Sequence, residues 1–328
     1  MISVVYVHTY DMLGVETPWL YALRLMILAV QMPLFLFLCG YFGKNLEKRR
    51  NTALTEYLIP FLVCNTLYYI IRVKQVDVLK FSLLRPLNMY WFLMTLLIIR
   101  LLMPELIRIR GIFPFSILLA LAAGGDKHIG RTLSLSRTIC FFPFYLMGYY
   151  CSEKQIKRIR QMPVIVALLC GALGTYLTFW LTKEYKPDLE HSHPFQLVNC
   201  YKTQGLEPFE GVLFRFMLYI IAPLMGILIL RLMSQRKSLL TRIGQGSMTV
   251  YLFHAFPLLW IVEKWGKITK VLPWIASKEF VKMFGGFSQF SLITIYAVVI
   301  SCLLSCKPIV WLYDWTLQRI QWILFRHK

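Results

Sequence analysis

The sequence predicts an all-α fold, a polytopic integral membrane helix bundle of about nine to ten transmembrane helices with a truncated first helix. Three observations predict it. The 328 residues are 58% hydrophobic and only 16% charged, and the mean hydropathy is +0.58, far more apolar than an average soluble domain. Aromatic residues make up 15% of the chain, enough buried surface together with the apolar runs to exclude a disordered chain. At roughly 20 residues per spanning helix, helices and short connections use the whole length. A single domain over residues 1–328 is therefore expected, with no separate soluble part.

Residues 1–9 are apolar but too short to cross a bilayer, and they lack the basic start and small-residue cleavage site of a signal peptide. Apolar segments follow over 21–42, 57–71, 87–103, 112–123, 138–150, 163–181, 212–232, 248–262 and 290–306. Several are shorter than about 18 residues, so flanking aromatics extend them or neighbouring helices shield them from lipid. The stretch 308–328 mixes Trp311, Tyr313, Trp315, Trp322 and Phe325 with Arg319 and Arg326, the composition of an interfacial anchoring helix.

The formal net charge is +20. In a soluble protein that excess would point to nucleic acid, but loop cations in a membrane protein set topology and meet anionic headgroups, so the expected partner is the lipid bilayer and no nucleic acid. Lys44, Lys48, Arg49 and Arg50 lie in a short loop, where the positive-inside rule operates most strongly, and this places them in the cytoplasm. The loop 182–211 then faces the opposite side. It carries Glu184, Asp188, Glu190, His191, His193, Glu207 and Glu210 and is longer than a connection needs. His191 and His193 lack a third and fourth ligand in recognisable spacing, and no metal is predicted. Eight cysteines are scattered without CxxC pairing, as small buried hydrophobes are.

Ionisable side chains inside apolar segments are costly and therefore candidates for function. His8, Arg100, Arg137, Arg215 and His254 are such residues. For the arginines the competing reading is snorkelling to headgroups, and for His254 a hydrogen bond to a neighbouring helix. His8 is followed by Thr9, Tyr10 and Asp11, possible orienting groups for an imidazole near the membrane edge, and an imidazole can take a proton from an alcohol near neutral pH. A phosphate-binding glycine loop, a GxSxG elbow and an HExxH motif do not occur.

Six phrases in order along the chain resemble the acyltransferase-3 family of polytopic membrane O-acyltransferases, in particular its fucose 4-O-acetylase-like branch. They are VVYVHT at 4–9, MPLFLFLCGYF at 32–42, LIPF at 58–61, YWFL at 90–93, LSRTICFFPFYLMGYY at 135–150 and IGQGSMTVYLFH at 243–254. The resemblance implies transfer of an acetyl group from cytoplasmic acetyl-CoA to a hydroxyl of a cell-envelope sugar or polysaccharide. His8 then matches the first-helix histidine and is the implied catalytic base. Arg137, Arg100 and Arg215 are the implied cofactor-binding or oxyanion-stabilising residues, and His254 and Trp91 the substrate-positioning ones. The expected location is the bacterial inner, or cytoplasmic, membrane. The alternatives weighed against this reading are a non-enzymatic glycan transporter or exporter and an inactive acyltransferase relative.

Overall fold

The computed structural model describes residues 1–13, 17–73, 82–185, 194–234, 236–260 and 286–324. Asp188, Glu190, His191 and His193 lie outside the described residues. The helices are α1 (Ile2–Leu13), α2 (Pro18–Tyr41), α3 (Leu46–Asn51), α4 (Ile59–Val73), α5 (Trp91–Leu106), α6 (Ile112–Ala122) and α7 (Leu135–Tyr150). They continue with α8 (Glu153–Gln161), α9 (Val164–Tyr185), α10 (Pro208–Leu232), α11 (Leu239–Gln245), α12 (Ser247–Phe253), α13 (Phe287–Leu304) and α14 (Lys307–Leu324). Among the described residues there is no strand.

Among the described residues, six stretches are long and apolar enough to cross a membrane: Pro18–Tyr41, Leu54–Arg72, Asn88–Leu106, Val164–Tyr185, Pro208–Leu232 and Phe287–Leu304. Helix α6 is apolar but shorter. The segment expected at 248–262 is not one continuous helix, because the helical pattern breaks at His254 and resumes over 255–260, with residues 261–262 outside the described set. Sequence reading also passed over α8, which is short and polar. Its capping box, with Ser152 accepting from the Gln155 N–H and Gln155 accepting from the Ser152 N–H, starts a helix that apolar content alone does not signal.

The contacts divide the chain into two compact units, one of Met1–Ile27 with Ser234–Lys328 and one of Leu28–Met233. In the first, α1 packs along α13, with Tyr6 and Trp19 against the Phe290 ring at centroid distances of 6.2 and 5.5 Å. Helix α13 starts after Gly286, whose φ of +80° suits glycine, and Thr17 donates from its hydroxyl to Gln289 Oε1 at 2.6 Å across that turn. Helix α12 meets α13 and α14, and the Thr249 hydroxyl lies 2.8 Å from the Leu304 carbonyl.

In the second unit the α9–α10 pair shows how sequence spacing becomes packing. Ala167, Gly171, Gly174, Thr178 and Leu181 are buried at alternating steps of four and three, one face of a helix. The opposite face exposes Ile165, Leu169, Leu173 and Tyr176, as a surface in contact with lipid tails requires. Small residues let membrane helices approach closely where hydrophobicity gives no preference for protein over lipid. The same device joins α2 to α7. A Cβ on Gly40 would overlap the Tyr145 carbonyl, and one on Gly148 would overlap the Phe37 backbone. Because main chain has nowhere to move, Gly148→Leu is expected to lower the stability of this unit by about 1–3 kcal/mol or more. Thermal unfolding of the purified protein in detergent measures it, and an unchanged midpoint would remove the close approach from the account.

Candidate functional site

Within the first unit the structure brings together the two histidines singled out by sequence. Helix α1 buries Val4, Val5, Tyr6, Val7, Thr9 and Tyr10, which leaves His8 partly buried among them. The His254 ring lies beside it, with centroids 5.3 Å apart and planes tilted by 39°. His254 is fully buried, and its Nδ1 is 2.9 Å from both the Val250 and Tyr251 carbonyls. Carbonyl oxygens only accept, so Nδ1 carries the hydrogen and Nε2 of the neutral ring holds the lone pair. That Nε2 is buried and has no hydrogen-bond partner among the described residues. The helix break at His254 leaves its ring in contact with the carbonyls of its own last turn, a local reason for one fixed tautomer.

The orienting groups expected beside His8 have other roles. The Thr9 hydroxyl donates to the Val5 carbonyl at 2.8 Å within α1. Asp11 accepts from Arg24 Nε, and the Arg24 guanidinium also lies 5.8 Å from the Tyr10 ring centroid. An acid and a base each inside or beside apolar helices neutralise each other, which explains Arg24 without assigning it chemistry. Sequence reading had left Arg24 without a role, and nothing local in the chain pairs residues on separate helices.

The other four residues lie in the second unit. Arg137 sits over the Trp91 ring at 4.5 Å and donates to the Gln196 carbonyl at 3.2 Å and to Gln196 Oε1 at 2.9 Å. Trp91 is buried and stacks on Phe141 with centroids 5.4 Å apart. Arg215 is 1% exposed. Its Nη1 donates to the Ala120 carbonyl at 2.8 Å and points to Cys140 Sγ at 3.2 Å, its Nη2 donates to the Asn199 carbonyl at 3.3 Å, and its guanidinium lies 4.8 Å from the Tyr201 ring. Arg137 and Arg215 therefore hold the backbone of the 194–206 segment onto α6, α7 and α10. Ser136 adds a hydrogen bond from its hydroxyl to the Leu197 carbonyl at 2.7 Å. The Tyr201 hydroxyl donates to the Leu121 carbonyl at 2.6 Å, and its ring occupies the space that a Cβ on Gly124 or Gly211 would need.

Arg100 is separate from these. It is 6% exposed, donates from Nη1 to Glu56 at 2.6 Å, and lies 4.4 Å from the Tyr57 ring. Its Nε and the Tyr145 hydroxyl are buried without hydrogen-bond partners among the described residues. Arg49 lies 3.9 Å from the same Glu56 carboxylate, and Arg50 3.7 Å from Glu105. Glu56 was not among the site residues expected from the sequence. It lies within a π turn over Leu54–Leu58, which apolar periodicity does not signal. Two positive groups converging on one carboxylate, with an unsatisfied N–H beside them, make a region able to accept an anion.

Apolar helices long enough to cross a bilayer, with an imidazole pair in one unit and buried arginines in the other, define a polytopic membrane protein that carries polar groups inside its apolar segments. A family model described as an acyltransferase domain matches residues 1–306, and the chain belongs to the acyltransferase-3 family. It is a multi-pass membrane acyltransferase. No curated protein and no solved structure matches it.

Proposed function

We propose that the protein is a membrane O-acetyltransferase of the fucose 4-O-acetylase-like branch. In this reading it transfers acetyl from cytoplasmic acetyl-CoA to a hydroxyl of a cell-surface sugar or polysaccharide, in a bacterial inner membrane crossed about nine to ten times. The short helices α6 and α7 and the broken segment at His254 would supply crossings beyond the six long stretches. The observation that carries the reading is the His8–His254 ring contact, inside a chain of the acyltransferase-3 family. Membership of an acyltransferase family does not favour a non-enzymatic transporter.

The chemistry needs a base and an anion site. His8 takes the proton of the acceptor hydroxyl as its oxygen bonds to the thioester carbonyl carbon. The carbon–sulfur bond then breaks, and the departing CoA sulfur receives that proton. His254, held as the Nδ1–H tautomer by two carbonyls, presents its lone pair in the same neighbourhood and positions the pair or the substrate. Acetyl-CoA is an anionic donor, and the residues around Arg100 fit its phosphates, since Arg100 Nε is an unpaired buried donor and Arg49 and Arg50 stand at the same end of α5. Trp91, Arg137 and Arg215 support the 194–206 segment, which by the positive-inside assignment faces the acceptor side.

The test is transfer of labelled acetyl from acetyl-CoA to envelope glycan in membranes that contain this chain, beside membranes without it. Base-labile label in the glycan is the expected result. Absence of transfer with folded protein and authentic glycan would sink the proposal.

A further inference from the structure

Helices α2, α6, α7, α8 and α10 line an open-sided chamber of about 540 Å³ in the second unit, a volume typical of small-ligand sites. Leu34, Phe113, Phe144 and Leu230 represent its apolar lining, while Gln155 and Arg158 of α8 stand at its polar rim. No residue given a catalytic or donor-binding role above lines it.

Helix α8 is amphipathic. Ile156 and Ile159 turn inward, while Lys154, Lys157 and Arg158 are exposed. Cations pin both of its ends: Lys44 Nζ donates to the Cys151 carbonyl at 2.5 Å, Arg231 Nε to the Met162 carbonyl at 2.7 Å, and Arg160 Nη2 to the Met233 carbonyl at 3.3 Å. A rigid cationic helix therefore rims an apolar chamber at the same end of the bundle as Lys44. An amphipathic basic helix of this kind lies at headgroup level, and exposed Lys and Arg there attract anionic lipid.

We infer that this chamber binds one acyl chain of an anionic phospholipid, with the lipid phosphate held by α8 through Arg158. The apolar walls match the chain and the rim matches the headgroup charge, so one amphiphile satisfies both. A two-carbon acetyl group would fill only a small part of the space, which separates the chamber from the donor's reacting end. The site is independent of whether acetyl is the group transferred.

Native mass spectrometry of the delipidated full chain in detergent tests it, with dioleoyl phosphatidylglycerol, dioleoyl phosphatidylcholine and palmitoyl-CoA as probes. Phosphatidylglycerol is expected to occupy one site in preference to phosphatidylcholine. Arg158→Gln, an exposed position, is expected to weaken phosphatidylglycerol about fivefold and leave phosphatidylcholine unchanged. Gly226→Leu adds a side chain where a Cβ meets only Leu34 at 3.8 Å, and should exclude both lipids. If Gly226→Leu does not fold, Arg158→Gln decides alone. Equal binding of the two lipids with no effect of Arg158→Gln overturns the inference. So does palmitoyl-CoA binding that displaces phosphatidylglycerol, which would assign the chamber to the acyl donor.

Discussion

Replacing His8 with alanine is expected to lower acyl transfer by about 10²–10⁴-fold, the usual contribution of a positioned general base, while the folded protein accumulates to a similar level. The expectation rests on partial burial. His8 is the partly exposed member of an otherwise buried stretch of α1, so its loss removes little packing. His254 behaves differently. It is fully buried with two carbonyls at 2.9 Å from Nδ1, and His254→Ala would remove both packing and a donor. His254→Asn retains an N–H for those carbonyls and removes the ring lone pair beside His8. If His254 positions the reaction, that variant should lose transfer while its unfolding midpoint stays close to the parent's. Full transfer by the His8→Ala protein would remove the imidazole from the mechanism, whatever the family membership.

Arg215→Met is expected to destabilise the second unit by about 1.5–3 kcal/mol, the range for losing buried hydrogen bonds from a charged donor. The Ala120 carbonyl would lose its guanidinium donor, and the Asn199 carbonyl would keep only Gln204 Nε2 of its two donors among the described residues; each lost bond to a buried acceptor carries its own cost. Arg215→Lys should recover only part of the loss, since an ammonium cannot reproduce a planar fork that reaches two carbonyls and covers the Tyr201 ring at once. Thermal unfolding in detergent separates this from a direct role in donor binding. A protein that unfolds at the parental midpoint but has a raised KM for acetyl-CoA would assign Arg215 to the cofactor and not to the 194–206 segment.

Much of the fold was legible because the bilayer imposes a strict rule: backbone groups must be satisfied within the segment, so apolar runs become helices. The segments expected at 21–42, 163–181 and 212–232 correspond to Pro18–Tyr41, Val164–Tyr185 and Pro208–Leu232, with ends moved by caps and prolines that periodicity does not see. The segment at 248–262 fails the rule at His254, where a side chain competes for the carbonyls of the last turn. The polar helix α8 was missed because its start depends on the Ser152–Gln155 capping box and its placement on Lys44, in the turn after α2, and Arg231 of α10. For the candidate site, the cost of burying charge picked out the right kind of residue. It did not say what each would meet.

The amino-acid sequence alone determined that this chain is a helical membrane protein of the acyltransferase-3 type and that His8, His254 and a few arginines stand inside apolar surroundings, because hydropathy, residue type and motif order are local properties. Only the tertiary structure decided that His8 meets His254, that Arg24 neutralises Asp11, that Arg100 meets Glu56, and that Arg137 and Arg215 hold the 194–206 segment. Each of these joins groups distant in the chain or on different helices. Which donor reaches which acceptor then depends on helix rotation and register, set by close contacts such as Gly40 on Tyr145 and Gly148 on Phe37, and no single segment encodes these.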